Sequence, residues 1–321
     1  MRVLVTGAEG FVGQHLLRVL AREGGHEVVA GYYPATGPAT VGEAARLPQV
    51  PLDVTSTRSI ERVLAEHRPE WIFHLAAQSS VSRSFADPLG TWEVNATGTL
   101  RLAEAVRTLG SGRTRMLVIS SAEVYGAVPP EQQPIPETAR MRPQTPYGAS
   151  KGAAELAAIQ AASGGGLEVV VARSFNHTGP GQDERFVFPT LARQLVRMRR
   201  GAQERVLRVG NLEVERDFLD VRDVVRAYRL LIERGENGTA YNVCSGVSRS
   251  LLAMVQTLVK ISGTGARLEV DEERFRPVDI PVLYGDPARL QALGWRAEVD
   301  LEQTFRDLLS EAELSTTAEV G

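Results

Sequence analysis

The chain has 321 residues, of which 43% are hydrophobic and 23% are charged, and its formal net charge is −3. This length and composition exclude a disordered chain and a small single-core domain, and they fit one large α/β unit or two lobes. The small net charge excludes long-range attraction to nucleic acid or to an anionic membrane, so we expect neither as a partner. The single cysteine, Cys244, excludes a disulfide framework and a cysteine-based metal site, and we expect no metal.

No feature of the sequence indicates export or membrane insertion. No apolar run reaches the roughly 18 residues needed to span a bilayer. Met1 and Arg2 lead directly into a short strand and a glycine turn, which is not the pattern of a signal peptide. We therefore expect a cytoplasmic protein.

The first half of the chain alternates short apolar runs with segments of helical periodicity. The runs predicted to be buried strands are Arg2–Thr6, Glu27–Tyr32, Val50–Val54, Trp71–Ala77, Arg115–Ser121 and Leu167–Phe175. The predicted helices are Phe11–Arg22, Thr57–His67, Thr91–Leu109 and Tyr147–Ala162. Apolar strands that alternate with helices predict an α/β fold with a Rossmann-type, doubly wound parallel sheet.

The alternation breaks after Phe175, where residues 176–220 are rich in Gly, Arg, Phe and Asn. The later elements are predicted at Val221–Arg234 (helix), Ala240–Ser245 (strand), Ser250–Ser262 (helix) and Leu301–Ser310 (helix). We predict that a nicotinamide-dinucleotide domain spans residues 1–175, to which residues 221–246 return. Residues 176–220 and 247–312 then form a smaller substrate-binding lobe, and residues 313–321 form a flexible tail.

A glycine pattern follows the first strand. Gly7, Gly10 and Gly13 form a GxxGxxG motif, with Phe11 and Val12 at the start of the next helix. These glycines permit a tight turn and let the backbone approach a pyrophosphate, while the amino end of the helix faces the phosphates. Because the motif lies between a strand and a helix, we interpret it as a dinucleotide site rather than an ordinary turn.

The position expected to contact the adenosine ribose departs from the usual sequence pattern. The second strand ends in Ala30-Gly31-Tyr32-Tyr33, without the carboxylate that binds the ribose of NAD. The absence of this carboxylate favours NADP. No arginine follows to hold a 2′-phosphate, so NAD remains an alternative cofactor. Asp53, after the third strand, is a candidate for the adenine amino group; alternatively it caps the helix that starts at Thr57.

A candidate proton-transfer group lies in the second half of the Rossmann region. Tyr147 and Lys151 are separated by one helical turn, so both lie on one face of the predicted helix. A tyrosine pKa near 10 is too high for efficient acid–base catalysis at neutral pH, and we expect the ammonium group of Lys151 to lower it. Ser121 ends the fifth strand, where its hydroxyl could polarise a substrate carbonyl.

The ordered set of glycine motif, His74-Leu75-Ala76-Ala77, Ser121, Tyr147 and Lys151 resembles the extended short-chain dehydrogenase/reductase family. The resemblance covers nearly all of residues 1–310. It implies that the tyrosine is the acid–base, that the lysine also binds the nicotinamide ribose, and that the serine orients the reacting oxygen. The cofactor contacts that it implies outside the glycine motif are Asp53, Val54, Leu75, Ala76, Ala77, Asn95, Tyr147 and Lys151. Helix packing is the alternative role for Asn95.

Motifs of the second half resemble the subgroup that acts on GDP-linked 4-keto-6-deoxy sugars. They are Arg173–Gln182, Gly210-Asn211, Arg216–Asp223, Asn242–Gly246 and Phe275–Pro281. The substrate-binding residues that this resemblance implies are Asn176, Arg185, Asn211, Arg216, Arg276 and Asp279. Guanidinium groups suit a diphosphate and a carboxylate suits guanine or ribose, but each arginine could instead form a surface ion pair.

Two activities of this subgroup remain open. A 4,6-dehydratase would use Glu123 as a base, whereas a reductase delivers hydride from NADPH to C4 of GDP-4-keto-6-deoxy-D-mannose and forms GDP-D-rhamnose. Asn176 is followed by His-Thr-Gly-Pro-Gly-Gln, which departs from the dehydratase pattern and favours the reductase. A 4-epimerase and a non-catalytic nucleotide sensor are further alternatives. The resemblance also implies a homodimer in which helices around Thr91–Leu109 and Tyr147–Ala162 form a four-helix interface.

Overall fold

The computed structural model describes residues 1–38, 42–109, 114–275 and 280–318, and Arg276 and Asp279 lie outside these described residues. The strands are β1 Arg2–Thr6, β2 Glu27–Tyr32, β3 Gln49–Pro51, β4 Trp71–His74, β5 Thr114–Ser121, β6 Leu167–Ser174, β7 Asn176–Thr178, β8 Val206–Val209, β9 Glu215–Arg216, β10 Phe218–Asp220, β11 Thr239–Val243, β12 Arg249–Ser250, β13 Arg267–Val270 and β14 Val282–Leu283. The helices are α1 Phe11–Glu23, α2 Thr57–His67, α3 Val81–Ala86, α4 Pro88–Trp92, α5 Gly98–Leu109, α6 Pro146–Ala162, α7 Val187–Arg199, α8 Val221–Arg234, α9 Leu251–Ser262, α10 Ala288–Ala292 and α11 Leu301–Ala318.

The main sheet is parallel throughout, in the order β11-β6-β5-β4-β1-β2-β3. The predicted α/β, Rossmann-type fold is therefore confirmed. The direction of winding reverses between β1 and β4, and ligands of such sheets bind outside the carboxyl ends of the strands at this switch point. Thr6, His74 and Ser121 are the last residues of β1, β4 and β5, so all three lie at this edge.

Helices cover both faces of the sheet, which explains why its strands are apolar on both sides. Leu17 of α1 and Leu231 of α8 belong to the core on one face, and Leu102 of α5 and Ala158 of α6 belong to the core on the other. Full burial of a leucine side chain stabilises the fold by about 1.5–3 kcal/mol. The two cores thus hold α1 and α6 on opposite faces of the sheet. The glycine motif at the start of α1 and Tyr147 at the start of α6 therefore lie at the same edge of the sheet.

The smaller lobe has its own core around α7, α9 and α11. Phe188 packs against Phe218 and Phe305, with ring centroids 5.1 and 4.8 Å apart. Helix α7 lies in the 176–220 segment, where no regular element was predicted. Its apolar residues do follow helical spacing, but the glycines and arginines around them obscured that pattern.

Several predicted boundaries were wrong by a few residues. The strand predicted over Val50–Val54 ends at Pro51, because the chain turns at Asp53, and the fourth strand ends at His74 rather than Ala77. The last helix continues to Ala318, so the predicted tail from residue 313 is helical over residues 313–318. An ion pair of 2.5 Å between Arg199 of α7 and Glu313 contributes to this extension.

Candidate active site

The glycine motif forms a cradle that only glycine fits. Gly7 has a φ of +64°, and a methyl group there would lie 2.7 Å from the Ala76 amide nitrogen. A methyl group on Gly13 would lie 2.5 Å from the Gly7 carbonyl oxygen. The N-cap of α1 is Gly10, which has no side chain to bond the amide groups of Phe11 and the following residues. These amides can bind an anion such as a pyrophosphate.

The residues predicted to hold the adenine end are near the same edge but engage in local contacts. One oxygen of Asp53, Oδ1, accepts hydrogen bonds from the Thr55 amide at 2.9 Å and from the Thr55 hydroxyl at 2.7 Å. The N-cap of α2 is Ser56, so the alternative role of Asp53 as that cap was wrong. Val54 is buried against Gly98, where a methyl group would meet Val54 Cγ2 at 3.0 Å.

Sequence reasoning missed Glu9, which lies inside the glycine motif. Its Oε1 accepts hydrogen bonds from the Tyr33 amide and the Thr36 hydroxyl, both at 3.0 Å. Tyr33 is the residue that follows β2. The structure therefore places a carboxylate beyond the end of β2, where the sequence of that strand has none.

A chain of hydrogen bonds connects the cofactor edge of the sheet with Asn95. The Thr99 hydroxyl donates to the Asn95 carbonyl at 2.6 Å, so it must accept from His74 Nε2, 2.9 Å away. His74 Nδ1 is then the acceptor for the Thr6 hydroxyl at 2.8 Å, and Thr6 in turn accepts from the Ala76 amide at 3.1 Å. Burial, with a contribution from Lys151, lowers the pKa of His74 to about 3, and the ring is neutral.

Asn95 connects three elements around the site. Its side-chain oxygen accepts from the Gln78 amide at 2.8 Å, and its side-chain nitrogen donates to the Gln78 carbonyl at 3.0 Å and to Ser150 Oγ at 3.0 Å. Asn95 lies in a π-helical turn over Glu93–Thr97 between α4 and α5. The helix predicted over Thr91–Leu109 is therefore interrupted; π turns are frequent at functional sites.

Helix α6 brings the predicted catalytic residues together. Thr145 caps its first turn by accepting from the Gly148 amide at 2.9 Å, and Ser84 of α3 accepts from the Tyr147 amide at 3.1 Å. A methyl group on Gly148 would lie 2.6 Å from the Glu123 carbonyl oxygen. Because Gly148 lacks that group, α6 packs closely against Glu123, two residues after Ser121 ends β5.

The protonation state of Tyr147 differs from the expectation. Burial and, to a smaller extent, the nearby Glu123 carboxylate raise the pKa of Tyr147 to about 12, against an opposing hydrogen bond with the Ser121 side chain. The net shift is therefore opposite to the predicted lowering, because desolvation of the phenolate dominates. Burial also lowers the pKa of Lys151, to about 8. At neutral pH the phenol is protonated and can donate a proton.

A buried ion pair lies on the same face of α6, one turn beyond Lys151. Glu155 accepts from Arg173 through both carboxylate oxygens, at 3.0 and 2.5 Å, and both side chains are less than a tenth exposed. Arg173 is on β6, and it also donates to the Tyr125 hydroxyl at 3.0 Å. The pair fixes α6 against β6. Sequence reasoning missed it because the two partners are 18 residues apart and belong to different elements.

The predicted substrate residues of the smaller lobe are more dispersed. Asn176 begins β7, two residues after Ser174, which is the register partner of Ser121. Arg185 is exposed and pairs with Asp183 at 2.8 Å. The side-chain oxygen of Asn211 accepts from the Glu213 amide at 2.9 Å.

Arg216 lies on β9 between two short strands. It donates to the Glu215 carbonyl at 2.9 Å and to the Pro281 carbonyl at 3.3 Å. Arg249 of β12 is its direct partner across the antiparallel pair, and sequence reasoning missed that residue. Two cationic residues therefore lie opposite each other in the register, a placement that suits an anionic ligand.

The described residues provide no cluster of three or more His, Cys, Asp or Glu that could hold a metal ion. Cys244 is a buried free thiol, and burial raises its pKa well above the usual value. In the part of the chain that the structure describes, no helix combines the length and the apolar character needed to cross a membrane.

Comparisons with known proteins cover nearly the whole chain. A model of the family described as GDP-mannose 4,6 dehydratase matches residues 4–308. GDP-6-deoxy-D-mannose reductase from Pseudomonas aeruginosa is 39% identical over 315 residues, which are 97% of this chain and 97% of that protein.

Two solved structures also match nearly the whole chain. The structure of RMD from Pseudomonas aeruginosa complexed with NADPH has a TM-score of 0.85 and 36% identity, and the match covers 98% of this chain and 99% of that one. UDP-glucose 4-epimerase from Thermus thermophilus, in complex with NAD, has a TM-score of 0.86 and 32% identity over 97% of this chain and 99% of that one. These similar proteins therefore include both an NADPH complex and an NAD complex.

Proposed function

We propose that this chain is an NAD(P)H-dependent reductase. It belongs to the GDP-mannose 4,6-dehydratase family. Its motifs place that family within the extended short-chain dehydrogenases/reductases. Its substrate is GDP-4-keto-6-deoxy-D-mannose, and its product is GDP-D-rhamnose. The observation that carries this proposal is the hydrogen bond between the Tyr147 phenol and the Ser121 side chain at the switch point of the sheet, in a chain 39% identical to a GDP-6-deoxy-D-mannose reductase.

The residues around the switch point fit a nicotinamide dinucleotide. Side chains at Gly7 and Gly13 would clash with the backbone of Ala76 and of Gly7, so these glycines allow the tight turn whose amides would hold a pyrophosphate. Ser120 Oγ, at the carboxyl end of β5, is buried without a hydrogen-bond partner among the described residues, as expected of a group that a ligand satisfies. When bound, the dinucleotide supplies the hydride. The remaining proposed cofactor contacts are Phe11, Val12, Leu75, Ala77 and Asn95.

The side chains of the site then handle the substrate oxygen. Ser121 and Tyr147 donate hydrogen bonds to the C4 carbonyl oxygen and polarise it. As the oxygen gains negative charge, Tyr147 transfers its phenolic proton to it. The ammonium group of Lys151, with its pKa lowered to about 8, stabilises the phenolate that is left. Asn95 holds Ser150, whose hydroxyl donates to the Tyr147 carbonyl at 2.8 Å, and so positions this turn of α6.

We propose that the smaller lobe, residues 176–220 and 247–312, binds the GDP moiety, whereas residues 1–175 with 221–246 bind the cofactor. Arg216 is our main candidate for the diphosphate, with Arg249 opposite it. Asn176 follows β6, two residues after the register partner of Ser121, and is our candidate for the sugar end of the substrate. Asn211, whose side chain accepts from the Glu213 amide, and Arg185, which pairs with Asp183, are further candidates in this lobe.

A second candidate function is supported by Glu123. Its carboxylate is close enough to Tyr147 to raise the pKa of the phenol, and a base at this position could remove the C5 proton in a 4,6-dehydration. We place the reductase first because the chain is 39% identical to a GDP-6-deoxy-D-mannose reductase over 97% of both chains, and because the segment after Asn176 departs from the dehydratase pattern.

One pair of assays separates the two functions. The protein is incubated with GDP-mannose alone, and separately with GDP-4-keto-6-deoxy-D-mannose and NAD(P)H. The reductase consumes reduced cofactor stoichiometrically in the second mixture and leaves GDP-mannose unchanged in the first. Loss of water from GDP-mannose without net cofactor consumption would instead establish the dehydratase.

We also propose a homodimer that works in the cytoplasm. Apolar side chains are exposed on the packed helices α4, α5 and α6: Leu89 (82%), Trp92 (45%), Leu100 (37%) and Leu156 (57%). A second copy of the same surface would bury them in a four-helix interface.

Light scattering should give twice the monomer mass, and Leu156→Glu should shift the protein toward monomers. A monomeric wild-type protein would contradict this assembly.

A further inference from the structure

We propose that Glu9 selects the dinucleotide by its ribose, so that this enzyme prefers NADH, with a free 2′-hydroxyl, to NADPH. The inference rests on the proposed dinucleotide-dependent function. It concerns which of the two cofactors the site accepts.

The Glu9 carboxylate lies beyond the end of β2. The Tyr33 amide and the Thr36 hydroxyl both donate to its Oε1 at 3.0 Å, so two groups of the loop after β2 hold the side chain in place. A carboxylate that follows β2 in a Rossmann fold accepts a hydrogen bond from the ribose of NAD. Here the carboxylate comes from the glycine motif, between Gly7 and Gly10, rather than from β2 itself.

The other oxygen of Glu9, Oε2, is buried and has no hydrogen-bond partner among the described residues. A buried carboxylate oxygen without a donor is costly. A ribose hydroxyl is a donor and would satisfy this oxygen. A 2′-phosphate carries acceptor oxygens and negative charge at neutral pH, so the same carboxylate would repel it.

The surrounding sequence offers nothing to offset that repulsion. No lysine or arginine occurs between Arg22 and Arg46, a stretch that includes β2 and the loop after it. A 2′-phosphate is ordinarily held by an arginine in this region. The absence of a carboxylate at the end of β2 favoured NADP when the sequence was considered alone, and Glu9 supplies the group that was absent.

The test measures binding rather than turnover. Dissociation constants of NADH and NADPH are determined from the fluorescence of the reduced nicotinamide, without any sugar nucleotide, for the wild type and for Glu9→Gln. Glutamine keeps an oxygen for Tyr33 and Thr36 but removes the charge. Glu27→Gln is the matched control, because it removes an exposed charge from the opposite end of β2.

We expect the wild type to bind NADH at least about tenfold more tightly than NADPH, and Glu9→Gln to tighten NADPH binding roughly tenfold while NADH changes less. Glu27→Gln should leave the ratio unchanged. Glu9→Ser, checked by thermal melting, repeats the test if the glutamine variant unfolds. A wild type that favours NADPH, or a ratio unaffected by both Glu9 variants, overturns the inference alone. Failure to bind either dinucleotide overturns the proposed function as well.

Discussion

The polar residues around α6 and the predicted substrate residue Arg185 of the smaller lobe differ in how they are held. Around α6, the chain from Thr6 to Asn95 and the ion pair between Arg173 and Glu155 are buried, and their hydrogen bonds cross between distant elements. In the smaller lobe, Arg185 pairs with a carboxylate two residues away. The first arrangement fixes reacting groups in advance of binding, whereas an exposed pair such as Arg185 and Asp183 can rearrange when a ligand binds. Changes in the first half should therefore alter turnover, and changes in the second should alter affinity.

The largest effect should come from Tyr147→Phe, which removes the proton donor and keeps the ring. We expect turnover to fall by about 10²–10⁴-fold. Nicotinamide fluorescence should show that cofactor binding is essentially that of the wild type. Turnover close to that of the wild type would remove Tyr147 from its proposed role.

The next largest effect should be a loss of stability, and it differs between two arginine–carboxylate pairs, one buried and one exposed. Glu155→Gln leaves the guanidinium of Arg173 buried without its counter-charge, and we expect a loss of about 3–5 kcal/mol in the free energy of unfolding. Asp183→Asn breaks the exposed pair with Arg185 and should cost at most about 1 kcal/mol. Urea denaturation measures both. Similar losses in the two variants would contradict the contrast between the two halves.

Arg216→Ala should affect affinity more than turnover. If the guanidinium binds the diphosphate equally in the ground and transition states, KM for the sugar nucleotide rises about 10–100-fold while kcat changes little. We expect a smaller rise for Arg249→Ala. Arg267→Ala, an exposed arginine elsewhere in the lobe, is the control. A fall in kcat at constant KM would place Arg216 with the catalytic residues instead.

The smallest effect is a pH dependence of the wild type. The pKa of Lys151 is lowered to about 8, so its ammonium group is present below that pH and is lost above it. We expect kcat/KM for reduction to be level from about pH 6 to about pH 7 and to be about tenfold lower one pH unit above the pKa. Lys151→Arg keeps the charge and should abolish the decline. A decline that persists in this variant would assign it to another group.

The sequence predicts those parts of the molecule that depend on local periodicity. Tyr147 and Lys151 follow from helical spacing, and the position of Ser121 follows from the rule that parallel strands end at one edge. The ion pair between Glu155 and Arg173 depends on how α6 packs against β6, which no spacing encodes. The pKa of Tyr147 was mispredicted because its desolvation depends on surrounding elements rather than on its helical neighbour. Glu9 was overlooked for the same reason, since its partners belong to the loop after β2.

His74 offers a spectroscopic use. Both of its ring nitrogens are hydrogen-bonded to hydroxyl groups, at 2.8 and 2.9 Å, and the direction of these bonds fixes the proton on Nε2. Because the pKa of His74 is lowered to about 3, the ring keeps this tautomer throughout the range in which enzymes are usually assayed. In a ¹⁵N-labelled sample, its nitrogen resonances would provide an internal, non-titrating reporter of the hydrogen-bond chain that joins the end of β1 to Asn95.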